Sequence, residues 1–413
     1  MVGLDGGRQV LLKNRIFRII LASDIIQQSA IWIRNMALLF FIMEQTNGNP
    51  MAISLLTILE YAPIFVFSII GGLLADRWNP KKTMIAGDLL SAASIAVIIL
   101  LVESSWWQAV YGAVFVSAIL SQFSQPSSAK MFKSHIPEED VPSAIGITQS
   151  MSSLFIILGP ILGTTIYQWA GLSASLIVLP VLFLISAAIL SFLPKEVVVA
   201  EKTKSTFRAD LSAGLQFVNS EKSLKKLFLI FSVIGLAAGL VQPLEIFIVT
   251  ERLGLSKEHL QWFVAADGIG LLIGALITVV FTGLLSLRYL FPVAVFFLGV
   301  TFAVEALSVW PILTGVFRFA NGILLAIVNT AVGSYIITKI PTEMVGRVNG
   351  IFTPISMAAL LLGTSSAGVL AQMLGILPVY IMAAVICWIV IGPSFKLHFQ
   401  KDTKNELTNG VNI

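Results

Sequence analysis

Apolar runs of about twenty residues, separated by short polar joints, fill almost all of this 413-residue chain and leave it few ways to fold. In hydrocarbon the backbone must satisfy its own hydrogen bonds, so runs this long and unalternating cross a bilayer as helices and not as barrel strands. Twelve runs can be placed, at approximately 15–43, 51–74, 83–102, 106–129, 142–168, 172–193, 227–250, 259–284, 289–308, 311–338, 348–372 and 376–395. Composition agrees: 57% of residues are hydrophobic and only 12% charged, with a mean hydropathy of +0.91, where a soluble domain carries about 25% charged residues. The expected fold is an all-α membrane protein with twelve transmembrane helices.

The joints set the orientation. Of the 26 lysines and arginines, 22 fall in joints and end segments, or at the start of the first run, that would share one side of the membrane. Only Arg252 and Lys257 lie on the other side, while Arg34 and Arg318 lie within runs. The positive-inside rule then makes both termini cytoplasmic in a multi-pass membrane protein. The net charge of +4 reports this topology and contact with anionic lipid, not a nucleic-acid partner. The first run follows basic residues as a signal peptide does, but it is too long and lacks a small-residue cleavage site, so it is kept as a span. The single cysteine, Cys387, allows neither an intrachain disulfide nor a thiolate metal cluster. No phosphate-binding loop, zinc-protease helix motif or nucleophile elbow is present, so the chain is expected not to be an enzyme and to need no cofactor. Its energy source would be an ion gradient or the substrate's own gradient.

The long polar stretch 194–226 divides the spans six and six, giving an N-terminal bundle (1–193), a cytoplasmic linker (194–226) and a C-terminal bundle with a short tail (227–413). The halves are also related in sequence. Residues 136–147 read IPEEDVPSAIGI and residues 340–351 read IPTEMVGRVNGI, identical at six of twelve positions. Gly72, Leu73, Leu74 and Arg77 match Gly283, Leu284, Leu285 and Arg288 at the corresponding joint of the second half. Parallel repeats of this kind put a substrate site near the bilayer midplane and work by rocking.

The joint GGLLADRWNPKK at 71–82 resembles the signature loop of the major facilitator superfamily. Gly72, Leu74, Asp76, Arg77, Lys81 and Lys82 match the pattern, and Asn79 stands where glycine is usual, as the next-best residue for a left-handed backbone. The resemblance covers nearly the whole chain. It implies two pseudo-symmetric six-helix bundles, a functional monomer, and a conformational latch in which Asp76 meets the start of span 11 near Gly346 and Arg347. In span 5, Gly159, Pro160 and Gly163 resemble half of the glycine-proline motif of drug exporters; the same residues serve equally as a packing kink. The NRIFR run at 14–18, the TNGNPMAIS lead-in to span 2 and the GPILG of span 5 resemble the macrolide-efflux and enterobactin-exporter branch. That branch implies a bacterial exporter exchanging protons for an amphipathic drug or metabolite. A proton-linked nutrient importer shares the fold, and a non-transporting receptor or scaffold is the more distant alternative.

Chemistry is expected from the charges inside spans. Asp24, Arg34, Glu60, Glu245, Asp267 and Arg318 would each cost roughly 3 kcal/mol facing lipid, so they must face a cavity or one another. On span 1, Asp24, Gln27, Gln28, Arg34 and Asn35 share one polar stripe, which suits water or substrate. Proton coupling needs a carboxyl group that binds a proton when buried and releases it when wetted. Asp24, Glu60, Glu245 and Asp267 qualify by position. Gln27, Gln28, Arg34 and Arg318 are the substrate-cavity candidates, with Arg318 expected to pair with an acid or an anionic substrate. Half-repeat alignment places Arg34 opposite Glu245 as a candidate ion pair, and Trp32 and Phe41 are candidates for a greasy pocket.

Overall fold

The computed structural model describes residues 11, 13–75, 78–194, 207–281, 287–395 and 397. Among them there is no strand, and the helices follow the apolar runs closely. In chain order they are α1 (Arg15–Gln45), α2 (Pro50–Ala75), α3 (Pro80–Glu103) and α4 (Val110–His135). One 51-residue helical stretch, Val141–Ser191, comes next. At 1.5 Å per residue it would be about 75 Å long, more than twice the hydrocarbon core. Gly171 breaks it, with φ of 72°, into α5 (141–170) and α6 (172–191). The remainder are α7 (Phe207–Ser220), α8 (Lys222–Val241), α9 (Leu260–Phe281), α10 (Leu287–Leu307), α11 (Pro311–Lys339), α12 (Thr342–Leu374), α13 (Ile376–Ile389) and α14 (Ile391–Phe395). Ten described helices are long and apolar enough to cross a membrane. Dividing one of these at Gly171 and adding serine-rich α4 gives the twelve spans.

Local chemistry explains the boundaries. Asn14 caps α1, its side chain accepting from the backbone N–H of Ile16 at 2.9 Å and Phe17 at 3.2 Å. Asn79 caps α3 in the same way, accepting from the N–H of Lys82 at 3.0 Å with Pro80 just inside the helix. This corrects the expectation of a left-handed backbone: Asn79 has φ −71° and ψ 116°, so its side-chain oxygen is used and not its tolerance of positive φ. The span 11–12 turn is made at Gly375, with φ of 88°. Gly171 and Gly375 are 204 residues apart, the offset that relates the two IP-rich joints.

The chain forms two compact units, residues 1–202 with 243–268, and residues 203–242 with 269–413. In the first, α1 lies along α5 and α6, α3 packs on α4 and the α5–α6 stretch, and α2 packs on α4. Phe17, Ile20, Met84, Phe132 and Leu190 centre the core at one end. Gly159 and Gly163 let α5 close on α1, since a Cβ at Gly159 would lie 2.2 Å from Trp32 Cγ and one at Gly163 would lie 2.5 Å from the Trp32 carbonyl oxygen. Trp32 is therefore a packing residue against α5. Phe41 stacks edge-on to Trp107 at 6.4 Å.

In the second unit, α8 packs on α12 and α10 packs on α11 and α13. Gly239 and Gly363 bring α8 and α12 into backbone contact, and Gly270 and Gly274 do the same for α9 and α11. The polar stretch between the sequence halves contains a helix that composition did not announce. Its Gly214 sits against Ile351 and Arg347, and its Val218 joins the core formed by Leu227, Val348 and Ile351.

Candidate functional site

A cavity of about 330 Å³ opens within the first unit, between α1, α3, α4 and α5 with Phe183 of α6 at its wall. The polar stripe of α1 supplies Asp24, Gln27 and Gln28. Opposite stand Asp88 and Ser91 of α3, Ser117, Ser121, Ser124 and Ser128 of α4, and Thr148, Gln149 and Ser152 of α5. The four α4 serines recur at steps of four, three and four, so one helix face presents hydroxyls along its length. Among the described residues no lysine, arginine or histidine lines the cavity.

Asp88 anchors the polar wall. It is 3% exposed and accepts two hydrogen bonds from the Gln27 amide, at 2.9 and 3.2 Å. The same amide nitrogen lies 3.1 Å from Ser23 Oγ and 3.2 Å from Ser186 Oγ, and those hydroxyls bond each other at 2.7 Å. One glutamine thus ties α1, α3 and α6 together around a buried carboxylate. Gln28 donates to Ser152 of α5 at 3.4 Å. Asp24 makes no hydrogen bond or ion pair among the described residues, so its carboxyl group faces the cavity uncommitted.

A second polar group lies further along α1. Arg34, 3% exposed, donates to Asn35 Oδ1 through Nε at 3.1 Å and Nη2 at 2.8 Å. Asn35 in turn donates to Glu60 of α2 at 2.9 Å. This replaces the expected Arg34–Glu245 pair: the neighbouring amide on α1 offers Arg34 a planar acceptor and relays it to Glu60. At the end of α1, Glu44 pairs with Lys257 and accepts from Tyr167 Oη at 3.1 Å. Lys257 sits over the rings of Phe40 and Tyr167, 5.4 and 5.0 Å from their centroids.

The structure thus gathers Asp24, Gln27 and Gln28 into one cavity and leaves the other candidates elsewhere. Arg34 and Glu60 form the adjoining network. Glu245 lies within a stretch, Gln242–Arg252, that passes from 3₁₀ to α to π winding; neither it nor Asp267 is among the described residues lining the cavity. Arg318 does not line it either. It is buried in the second unit with its Nε 3.1 Å from Glu305 Oε2, an acid partner of the kind expected for it. Trp32 and Phe41 are likewise absent from the lining.

Of the latch residues, Asp76 and Arg77 lie outside the described residues, and Gly72 is placed only as part of α2. Lys81 donates to the carbonyls of Ser191 and Leu193, capping the C-terminus of α6. The Lys82 side chain is exposed. Arg347 donates to Met344 Sδ at 3.4 Å and packs beside Gly214 of α7. Asp88 was missed by sequence reasoning, which took up the charges of spans 1, 2, 7, 8 and 10 and passed over span 3. A lone aspartate followed by Ser91 and Ser94 in an otherwise apolar run was the available signal.

The family model described as Major Facilitator Superfamily matches residues 25–250. Macrolide efflux protein A of Streptococcus pyogenes is 24% identical over 376 residues, covering 87% of this chain and 91% of its own. Multidrug efflux pump Tap of Mycolicibacterium fortuitum is 28% identical over 348 residues, covering 80% of this chain and 83% of its own. Among solved structures, nucleoside transporter NupG superposes with a TM-score of 0.73 over 94% of this chain and 99% of that one, at 12% identity, a likeness of fold alone.

Proposed function

Since this chain belongs to the Major Facilitator Superfamily, a family of multi-pass membrane transporters and not of enzymes, we propose that it is a proton-coupled exporter of an amphipathic drug or metabolite. It would work by alternating access as a monomer in a bacterial plasma membrane, with both termini cytoplasmic. The observation that carries this reading is the cavity itself. Two carboxyl groups, Asp24 and Asp88, face or border it, and among the described residues no basic side chain lines it to neutralise them.

A buried carboxylate needs a compensating positive charge, and a proton or a cationic group on the substrate supplies one. Proton and substrate would then alternate at the same groups: protonation from outside releases the substrate outward, and deprotonation inside readies the site to load again. The efflux relatives support the outward direction.

A drug-susceptibility panel in a pump-deficient bacterial host tests the proposal. Wild-type chain should raise resistance to at least one compound, and Asp24→Asn or Asp88→Asn should abolish that gain at equal expression. Glu60→Gln, in the adjoining network, should weaken it. Inverted vesicles with an acid interior should accumulate the same compound. If they lose it and intact cells take it up, the chain is an importer. Transport indifferent to all three acids removes proton coupling through them.

A further inference from the structure

The cavity's hydrogen-bonding capacity is lopsided. Ser121 Oγ donates to the Ala118 carbonyl at 2.8 Å, Ser124 Oγ lies 3.5 Å from that of Leu120, and Ser152 Oγ donates to that of Thr148 at 3.2 Å. Each of these hydroxyls has committed its one proton to its own helix, which leaves lone pairs for the cavity. The Gln27 amide protons are engaged by Asp88, Ser23 and Ser186, and Gln28 donates to Ser152. Asp24 is acceptor-only when ionised. With Thr148, whose hydroxyl donates to the Ile145 carbonyl at 2.9 Å, four of the seven lining hydroxyls are so committed and offer the cavity lone pairs, beside two carboxyl groups and, among the described residues, no lining cation.

A ligand that satisfies such a wall must bring the donors and the positive charge itself. The volume, about 330 Å³, is at the small end of ligand pockets, which run from roughly 300 to 1,000 Å³. We propose that this cavity binds a small hydroxylated organic cation, a protonated amine carrying several hydroxyl groups as an amino sugar or amino polyol does. Its ammonium group meets Asp24 and Asp88, and its hydroxyls donate to the serine face of α4. The assignment deepens the exporter reading and rests on it for the direction of transport. It narrows the cargo from a greasy amphiphile to a polar, donor-rich amine, because a lipophilic cation would leave the α4 hydroxyls and Gln149 unsatisfied.

Isothermal titration of the purified full-length chain in detergent tests it without any gradient. The probes are N-methylglucamine and glucosamine as hydroxylated amines, sorbitol as the uncharged polyol, and tetraphenylphosphonium as the lipophilic cation. Both amines should bind saturably, and sorbitol at least about tenfold more weakly. Asp24→Asn and Asp88→Asn should each weaken the amines about tenfold or more, with melting temperature and monodispersity unchanged. Ser121→Ala with Ser124→Ala should weaken them while sparing tetraphenylphosphonium, and this pair carries the test if Asp88→Asn does not fold.

Absence of binding by both amines overturns the assignment. So does preference for tetraphenylphosphonium at the same two aspartates. An amine that binds as described but is accumulated by intact cells leaves the ligand class standing and removes export. Export of a lipophilic drug that neither amine competes with removes the ligand class and leaves export.

Discussion

At the scale of single residues, the buried Arg318–Glu305 pair shows how an ionisable group in a span can be matched by a neighbouring helix. Both side chains are nearly inaccessible, at 6% and 0% exposure. Removing one partner leaves the other charge buried and unmatched, so Glu305→Gln or Arg318→Met should each destabilise the protein by about 3–5 kcal/mol. The double variant Arg318→Met with Glu305→Leu should recover much of that. Thermal unfolding in detergent reads both. Gly159 makes the opposite kind of demand, for space. Gly159→Ala drives a methyl group into the indole of Trp32, and overpacking of this kind costs about 1–3 kcal/mol. Adding Trp32→Ala should relieve the clash, so the double variant should melt above Gly159→Ala alone; a lower melting point would mean that the glycine is not there for the indole.

At the scale of elements, the chain turns at residues that tolerate what others do not. Gly171 and Gly375 hold φ of 72° and 88° between successive spans. Alanine at either should cost about 1 kcal/mol or more through backbone strain, seen as faster amide exchange at the adjoining helix ends. Little crowds Gly171, where an added Cβ would meet nothing within 4 Å, so strain and not collision is what that measurement would report.

The elements were also the most legible part of the sequence. Most span boundaries fell within a few residues of the helix found, because a hydrophobic run is a local signal; the exceptions are α4, which runs on to His135, α12, which begins at Thr342, and α8, which begins at Lys222 and stops at Val241 where the winding changes. The α7 helix was not legible, since its stability comes from docking Gly214 and Val218 on α12 and not from its own composition. The site was legible only where a stripe announced it. Asp24, Gln27 and Gln28 stood on one face of α1, whereas Asp88 depended on which neighbours α3 would meet, which no helical period encodes. The serine face of α4 was there to be read at its four-three-four spacing, and it passed as ordinary polarity without a cavity to give it meaning.

At the scale of the whole molecule, topology makes a claim that chemistry in intact cells can check. Cys387 is fully buried, so a cysteine introduced elsewhere is read against a quiet background. Trp78→Cys, beside the signature loop, should resist a membrane-impermeant maleimide applied to intact cells and react in inverted vesicles. Ser105→Cys, between α3 and α4, should do the reverse. Reaction of both from the same side would break the twelve-span threading.

The matching glycine turns carry one more implication. Hinges spaced by the same 204 residues as the related joints are what a duplicated ancestor leaves behind. Duplication frees one copy from duties the other still performs. The described residues that line the cavity all come from the first copy, from Asp24 to Phe183, while the second holds Arg318 against Glu305. What the copies still share is their turns; their buried charges have diverged.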